Sequence, residues 1–424
     1  MGDEQVHRTV EAVWRIEAGR VIAALAAVVR DVGWAEELAQ DALVAALEQW
    51  PRDGVPANPG AWLTTVGKRR AIDALRRRTL LERRVADLWR DLGDDQFFPD
   101  FDAAFEERID DDLLRLVFTA CHPVLSPQAR AALTLRMLGG LKTDEIARAF
   151  LVPETTVAQR ITRAKKTLAD AKVPFEVPGI EERGERLASV LEVIYLIFNE
   201  GYSATAGDDW MRPALCAEAL RLARVLQGLM PAEPEVHGLA ALLEIQASRT
   251  AARVDPAGEP ILLLEQDRGR WDHLLIRRGL AALDQARAAG IPAGPYTLQA
   301  EIAACHARAR TPQETDWTRI AAGYAELARV VPSPVVELNR AVAVSFADGP
   351  AAGLDLARAL ADEPALAGYH LLSSVLGDLL AKLGRYDEAR VEFDRAAHLT
   401  GNERERALLF ARAADCARGV APTR

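Results

Sequence analysis

An all-α fold follows from three observations. Alanine, leucine and arginine dominate the 424 residues, apolar side chains recur at spacings of three and four, and β-branched runs of strand character are nearly absent. Half hydrophobic and 27% charged, the chain is long enough for about two to four domains with ample cores. Its formal net charge of −10, taken whole, argues against a general nucleic-acid binder, because attraction to phosphate grows with positive charge. The distribution of that charge says more than its sum.

The first 30 residues are interrupted by Asp3, Glu4, Arg8, Glu11, Arg15, Glu17 and Arg20, so they hold no export-type apolar core. Nowhere does the chain approach the roughly 20 uncharged apolar residues of a membrane span. Cys121, Cys216, Cys305 and Cys416 stand far apart, without a C-x-x-C pair or a histidine cluster. A reduced cytoplasmic chain with no membrane contact, no metal and no cofactor is the expectation.

Residues 34–50, WAEELAQDALVAALEQW, read as an amphipathic acidic helix. Leu38, Ala42, Ala45, Ala46 and Trp50 turn inward and leave Glu36, Glu37, Gln40, Asp41 and Glu48 available, either to solvent or to a helical partner. A break follows at Pro51–Gly60. Residues 62–78, WLTTVGKRRAIDALRRR, return to helix, with Trp62, Val66, Ile72 and Leu75 near one side and Lys68, Arg69, Arg70, Arg76 and Arg77 over the rest. Cations that hold phosphates beside an aromatic that stacks on unstacked bases suit single-stranded or partly opened DNA. Asp73 stands among these arginines, placed to orient one by a charge-assisted hydrogen bond. A solvated basic face fits the same residues.

The basic block continues through Arg83, Arg84 and Arg90, then inverts: from Asp91 to Asp112 acidic residues face only Arg108. A second basic cluster comes at Arg160, Arg163, Lys165, Lys166 and Lys172. Two small basic modules on an acidic tether suggest two contacts with a polyanion. In the second module, Thr143 is placed to cap a helix carrying Asp144 and Glu145 in its first turn and Ile146, Ala147 and Phe150 on its apolar face. A turn at 151–153 leads to a second helix with Val157, Ile161, Ala164 and Leu168 inside and Thr155, Thr156, Gln159, Arg160, Arg163 and Lys166 outside. Such a helix-turn-helix offers its second helix to the major groove. The alternative is a helical hairpin with a solvated basic face.

Pro174 and Pro178 end this module, and the long remainder reads as helical pairs at 210–253 and 271–310. In 376–401 the order Leu376, Gly377, Gly384, Tyr386, Ala389, Phe393, Ala396 matches the small and aromatic positions of a tetratricopeptide (TPR) unit. Ala343 precedes Gly377 by that unit's 34-residue period. The expectation is an irregular TPR-like array. Asn199 to Tyr202, after an apolar helix, lines an interface or a pocket.

The order of AEELAQDAL, WLTTVGKRRAIDALRRR, an acidic linker and a helix-turn-helix resembles the extracytoplasmic-function sigma factors of bacterial RNA polymerase, within the sigma-70 superfamily. CHPVLSPQARAALTLRMLGGL, AFLVPETTVAQRITRAKKTL, IFNEGYSA, LLEQDRGRWD and DWTRIAAGYAELARVVPSPVVELNRAVAV resemble the subgroup with a long TPR-like C-terminal extension. The resemblance implies sigma region 2 over 1–82, an acidic linker over 83–110, region 4 over 111–172 and the extension over 173–424. It implies core RNA polymerase as partner, through the clamp helices of the largest subunit and the flap, together with promoter DNA and a regulatory partner or ligand of the extension. Carried across by position, Glu36, Glu37, Leu38, Gln40 and Asp41 fall on the clamp-binding helix. Trp62, Lys68, Arg69, Arg70, Asp73, Arg76 and Arg77 fall on the helix that engages and melts the −10 element, with a flipped base read at the loop 51–60. Thr155, Thr156, Gln159, Arg160, Arg163 and Lys166 fall on the helix that reads the −35 element. Arg69 departs from the family, which often has Asn there. The linker is implied to thread toward the RNA exit path, its carboxylates mimicking a nucleic-acid backbone; an ordinary solvated linker fits the same composition.

No acid, base and nucleophile converge, so an enzyme is not expected. His122, His237, His273, His306, His370 and His398 are scattered, and Gly139-Gly140 lacks the residues of a phosphate loop. A helical scaffold with a helix-turn-helix that regulates transcription without polymerase is the main alternative; a hydrolase around Glu200 and Asp208 is a weaker one.

Overall fold

The computed structural model describes residues 3–86, 109–150, 152–202, 211–255 and 261–422, with no account of the side chains of 3, 4, 78–86 and 109. The linker from 87 to 108, Leu151 in the helix-turn-helix turn, and Asp208 lie outside the described residues. Eighteen α-helices and no β-strand occur among the described residues, as the composition predicts. They divide into two compact units, 1–196 and 197–424.

The first unit contains α1 (Asp3–Val29), α2 (Val32–Asp53), α3 (Pro59–Ala86), α4 (Ile109–Ala120), α5 (Pro127–Met137), α6 (Thr143–Phe150), α7 (Glu154–Asp170) and α8 (Ile180–Tyr202) as far as Leu196. Helix α1 is the hub. Val10, Trp14, Ala18, Val21, Ile22 and Leu25 are almost fully buried, and α1 packs against α2 and α3 and also against α4. Within the first unit the two basic modules thus pack on one another through α1. Their junction is tight at Gly140, whose φ of +64° favours glycine and where a Cβ would lie 3.2 Å from the Trp14 carbonyl oxygen.

Two helix ends differ from the sequence reading. Helix α2 runs through Pro51 to Asp53, so the break shrinks to 54–58. Pro51 sits in the last turn, where one lost backbone bond is tolerable, and Gly54 closes the helix with its N–H on the Trp50 carbonyl at 3.0 Å. Asn58 then starts α3, its Oδ1 accepting the Ala61 N–H at 3.0 Å. At α6 Thr143 is the first helical residue and not the cap. Glu145 reaches back to accept the Lys142 N–H at 2.8 Å, which does the capping from the third position.

Helix α8 was expected to open the extension, yet its first part is bonded to the helix-turn-helix module. Arg186 donates to the Phe118 carbonyl at 2.9 Å, Ser189 donates to the Cys121 carbonyl at 2.6 Å, and Arg130 pairs with Glu192 at 3.0 Å. Burial pushes the Cys121 thiol up to about 11.

The second unit contains α9 (Pro213–Leu229), α10 (Pro234–Ala247), α11 (His273–Ala288), α12 (Pro295–Arg308), α13 (Trp317–Val330), α14 (Pro334–Ala347), α15 (Pro350–Arg358), α16 (His370–Lys382), α17 (Tyr386–Leu399) and α18 (Glu403–Ala417). Several open on Pro at the first position, where the missing N–H costs nothing. Helices pack mainly on their sequence neighbours, as in a one-dimensional array. Gly377 of α16 meets the Phe393 ring of α17, where a Cβ would come within 2.9 Å, and Ala389, Phe393 and Ala396 are fully buried. These are the small and aromatic positions singled out in the sequence.

Candidate nucleic-acid interface

Helix α7 presents two faces. Val157, Ile161, Ala164 and Leu168 are buried, and packing on α5 and α6 holds them. Thr155, Gln159, Arg163 and Lys166 are exposed, while Thr156 and Arg160 are half-buried. The first turn points polar side chains outward and the later turns carry cations, which suits base edges and phosphates respectively.

Helix α3 carries the other basic surface. Arg69, Arg76 and Arg77 are exposed; Lys68 and Arg70 are half-buried. Trp62 is also half-buried, its ring 5.4 Å from that of Trp50 and edge-on at 68°. Trp50 is 2% exposed, so it fixes Trp62 from beneath and leaves part of the ring at the surface. The role expected of Asp73 falls elsewhere. Arg77 Nε donates to the Asp73 backbone carbonyl at 3.3 Å, and the carboxylate that meets an arginine is Asp41 of α2, 3.7 Å from Arg70. Asp73 and Arg77 are four apart on one helix, a spacing that brings the arginine over the carbonyl as readily as over the carboxylate.

The acidic face of α2 is only partly available. Glu37 and Asp41 are exposed and Gln40 is half-buried. Leu38 is core, 5% exposed, since it follows the inward period of Ala35, Ala39 and Ala42. Glu36 corrects the sequence reading most: it is 4% exposed and held by two cations of the other module. Arg136 Nε of α5 donates to Glu36 Oε1 at 2.9 Å, and Lys165 Nζ of α7 donates to Glu36 Oε2. Arg136 also donates to the Leu141 carbonyl at 3.3 Å. Sequence reasoning missed Arg136, although one arginine within the apolar run LTLRML was a signal. Lys165 was seen as part of a basic cluster, but its place on the flank of α7, beside buried Ala164, aims it at α2.

Two more ion pairs join the modules nearby. Lys142 pairs with Glu11 at 2.6 Å, which holds the Glu11 carboxyl below the usual range, and Arg15 pairs with Glu145. The first is largely exposed and the second partly so, and both contribute little beside the buried Glu36 cluster. No group of His, Cys, Asp and Glu able to hold a metal ion occurs among the described residues, and none of their helices is long and apolar enough to cross a membrane.

The family model of sigma-70 region 2 matches residues 14–80, and that of sigma-70, region 4, matches 115–168. A family of unknown function, DUF6596, matches 186–287. An uncharacterised protein of Rhizobium meliloti (strain 1021), R00370, is 46% identical over 389 residues, covering 90% of this chain and 89% of the relative. No solved structure matches the chain.

Proposed function

The chain belongs to the sigma-70 family of sigma factors, and we propose that it is an alternative initiation subunit of the extracytoplasmic-function type. Regions 2 and 4 give it a role in promoter recognition, with core RNA polymerase and promoter DNA as partners. In this reading α7 reads the −35 element through Thr155, Thr156, Gln159, Arg160, Arg163 and Lys166. Helix α3 engages the −10 element through Trp62, Lys68, Arg69, Arg70, Asp73, Arg76 and Arg77. Helix α2 docks on the clamp helices of the largest subunit through Glu37, Gln40 and Asp41, with Glu36 added once its cations have left. Initiation then rests on binding and strand separation, with no covalent chemistry by this protein. The extension modulates that activity, a reading supported by the bonds from α8 to α4 and α5.

The observation that carries this reading is α7, whose polar and basic face is exposed while its apolar face is locked in the core. A second observation refines it. Elements at −35 and −10 lie roughly 25 base pairs apart, about 85 Å along the duplex axis. Helices α2 and α7 meet at Glu36 and α2 packs on α3, so this arrangement holds α3 and α7 too close together to reach both elements at once. It is a resting form, and loading on promoter and polymerase parts α7 from α2.

Glu37→Lys with Asp41→Lys in the full chain tests the polymerase contact. Loss of co-purification with core polymerase, with the fold retained by circular dichroism, is the expected result. Unchanged co-purification would favour the polymerase-independent regulator.

A further inference from the structure

In the second unit, between the ends of α10 and α12, four side chains form an enclosed cationic cluster that promoter recognition does not use. Arg249, just past α10, is 7% exposed; its Nε has no hydrogen-bond partner, and no ion pair reaches its guanidinium among the described residues. It lies over Trp271, 5.8 Å from the ring centroid. Arg268 lies over the same ring at 4.9 Å. Arg268 spends its terminal nitrogens on the chain, donating to the carbonyls of His306 at 2.7 Å and Ala309 at 2.6 Å and to the Thr315 hydroxyl at 3.1 Å. Its Nε remains buried and unpartnered, as do Trp271 Nε1 and His306 Nδ1.

Buried cations are ordinarily paired, and each buried polar atom without a partner calls for an explanation. Here three of the four orphans are donors, two guanidinium N–H groups and an indole N–H, and both guanidinium groups lie over the one indole ring. Burial and then the charge of Arg249 pull Arg268 below its usual range, and burial with both arginines lowers His306 to about 3, so the imidazole is neutral. Two positive charges thus lie close together, and among the described residues no carboxylate forms an ion pair with either, Glu314 acting on Arg268 without bonding to it. The planar fork of Arg249 suits oxygens carried in pairs, and the Arg268 Nε–H and the indole N–H add one donor each.

We propose that Arg249, Arg268, Trp271 and His306 form a binding site for a small oxyanion, the phosphoryl or carboxylate group of a small molecule. Arg249 supplies the free charge, Trp271 and Arg268 each supply a donor, and neutral His306 completes the wall without adding a third cation. The site would make the extension a receptor for a diffusible ligand, and it stands whether or not the chain binds polymerase.

The full chain, titrated with inorganic phosphate and separately with acetate at constant ionic strength, tests the site by calorimetry and thermal melting. Saturable binding of one anion with a rising Tm is expected, and the tighter anion identifies the class. Arg249→Met should weaken that affinity about tenfold to a hundredfold. Without anion it should melt no lower than the parent, because an uncompensated buried charge has gone. Arg249→Lys, which keeps the charge but loses the fork, should bind weakly and serves if the methionine variant does not fold. Absence of saturable binding, or an equal Tm rise in parent and variants, overturns the proposal, since general exclusion of salt from the surface acts on all of them.

Discussion

Glu36 of α2 and Lys165 of α7 form an ion pair across the two promoter-reading modules, with Arg136 on the other carboxylate oxygen. The carboxylate is 6% exposed and each cation 19%, so the trio is held in a protein-like medium and not in water. Removing one member of such a group costs more than the pair contributes, because the remaining charges stay buried without compensation. Glu36→Gln leaves two cations facing each other and should destabilise the first unit by about 3 kcal/mol. Urea unfolding followed in that unit measures it. A loss below about 0.5 kcal/mol, the size of an ordinary surface change, would contradict the docked arrangement.

On α7, side chains should separate by what they touch. Gln159→Ala should relax base preference at one position of the −35 element by about 1–3 kcal/mol, read by competition between variant promoters. Arg163→Ala and Lys166→Ala should weaken all sequences alike and each lower the slope of log affinity against log salt by about 1. Sequence-selective loss from the lysine variant would tell against that division.

Gly377→Val should wedge a branched side chain against Phe393, where even a Cβ would come within 2.9 Å. Overpacking of this kind costs about 1–3 kcal/mol. The loss should appear in the melting of the second unit and leave DNA binding by α7 unchanged.

His306 gives the stability of the second unit a pH dependence of defined sign. Its folded value of about 3 lies below the ordinary 6.5, so the unfolded chain binds the extra proton first as pH falls. The contribution is full above about pH 6.5 and is lost progressively toward pH 3. His306→Gln should flatten that part of the Tm profile; an unchanged acid slope would refute the assignment.

Cys121 has the opposite sign. Its thiol, raised from 9.0 to about 11, keeps its proton in the fold while the unfolded chain releases it, so stability present below pH 9 falls between pH 9 and 11. At pH 8 a thiol reagent should reach it only after unfolding. Rapid labelling of the native chain at Cys121 would exclude the buried position.

Much of this was legible in the sequence, for identifiable reasons. The inward set of α7 was readable because a core imposes its period on the residues that fill it, and Gly377 with Phe393 because size complementarity recurs at a fixed spacing. Glu36 was not: periodicity separates inside from outside but does not tell what packs on the flank of a helix. The carboxylate that meets Arg70 escaped for a related reason, since Asp41 lies on another helix and local spacing, which offered Asp73, cannot reveal it. The cluster around Trp271 was invisible because Arg249, Arg268 and His306 come from three separate segments, and a scattered histidine reads as structural.

Glycine at 140 and the small Ala18 and Gly19 of α1 let the helix-turn-helix module seat closely on α1, with Leu113 and Leu138 over Gly19. If α7 leaves for distant DNA, this seam opens and its apolar lining meets water. The parted form would then expose apolar surface, and a partner that needs it would bind with an apparent affinity reduced in proportion to the fraction of the chain in that form. On the proposed reading, promoter output would scale with how often the seam opens and how fast a waiting surface covers it, so a modest change in seam packing would act as a gain control on transcription.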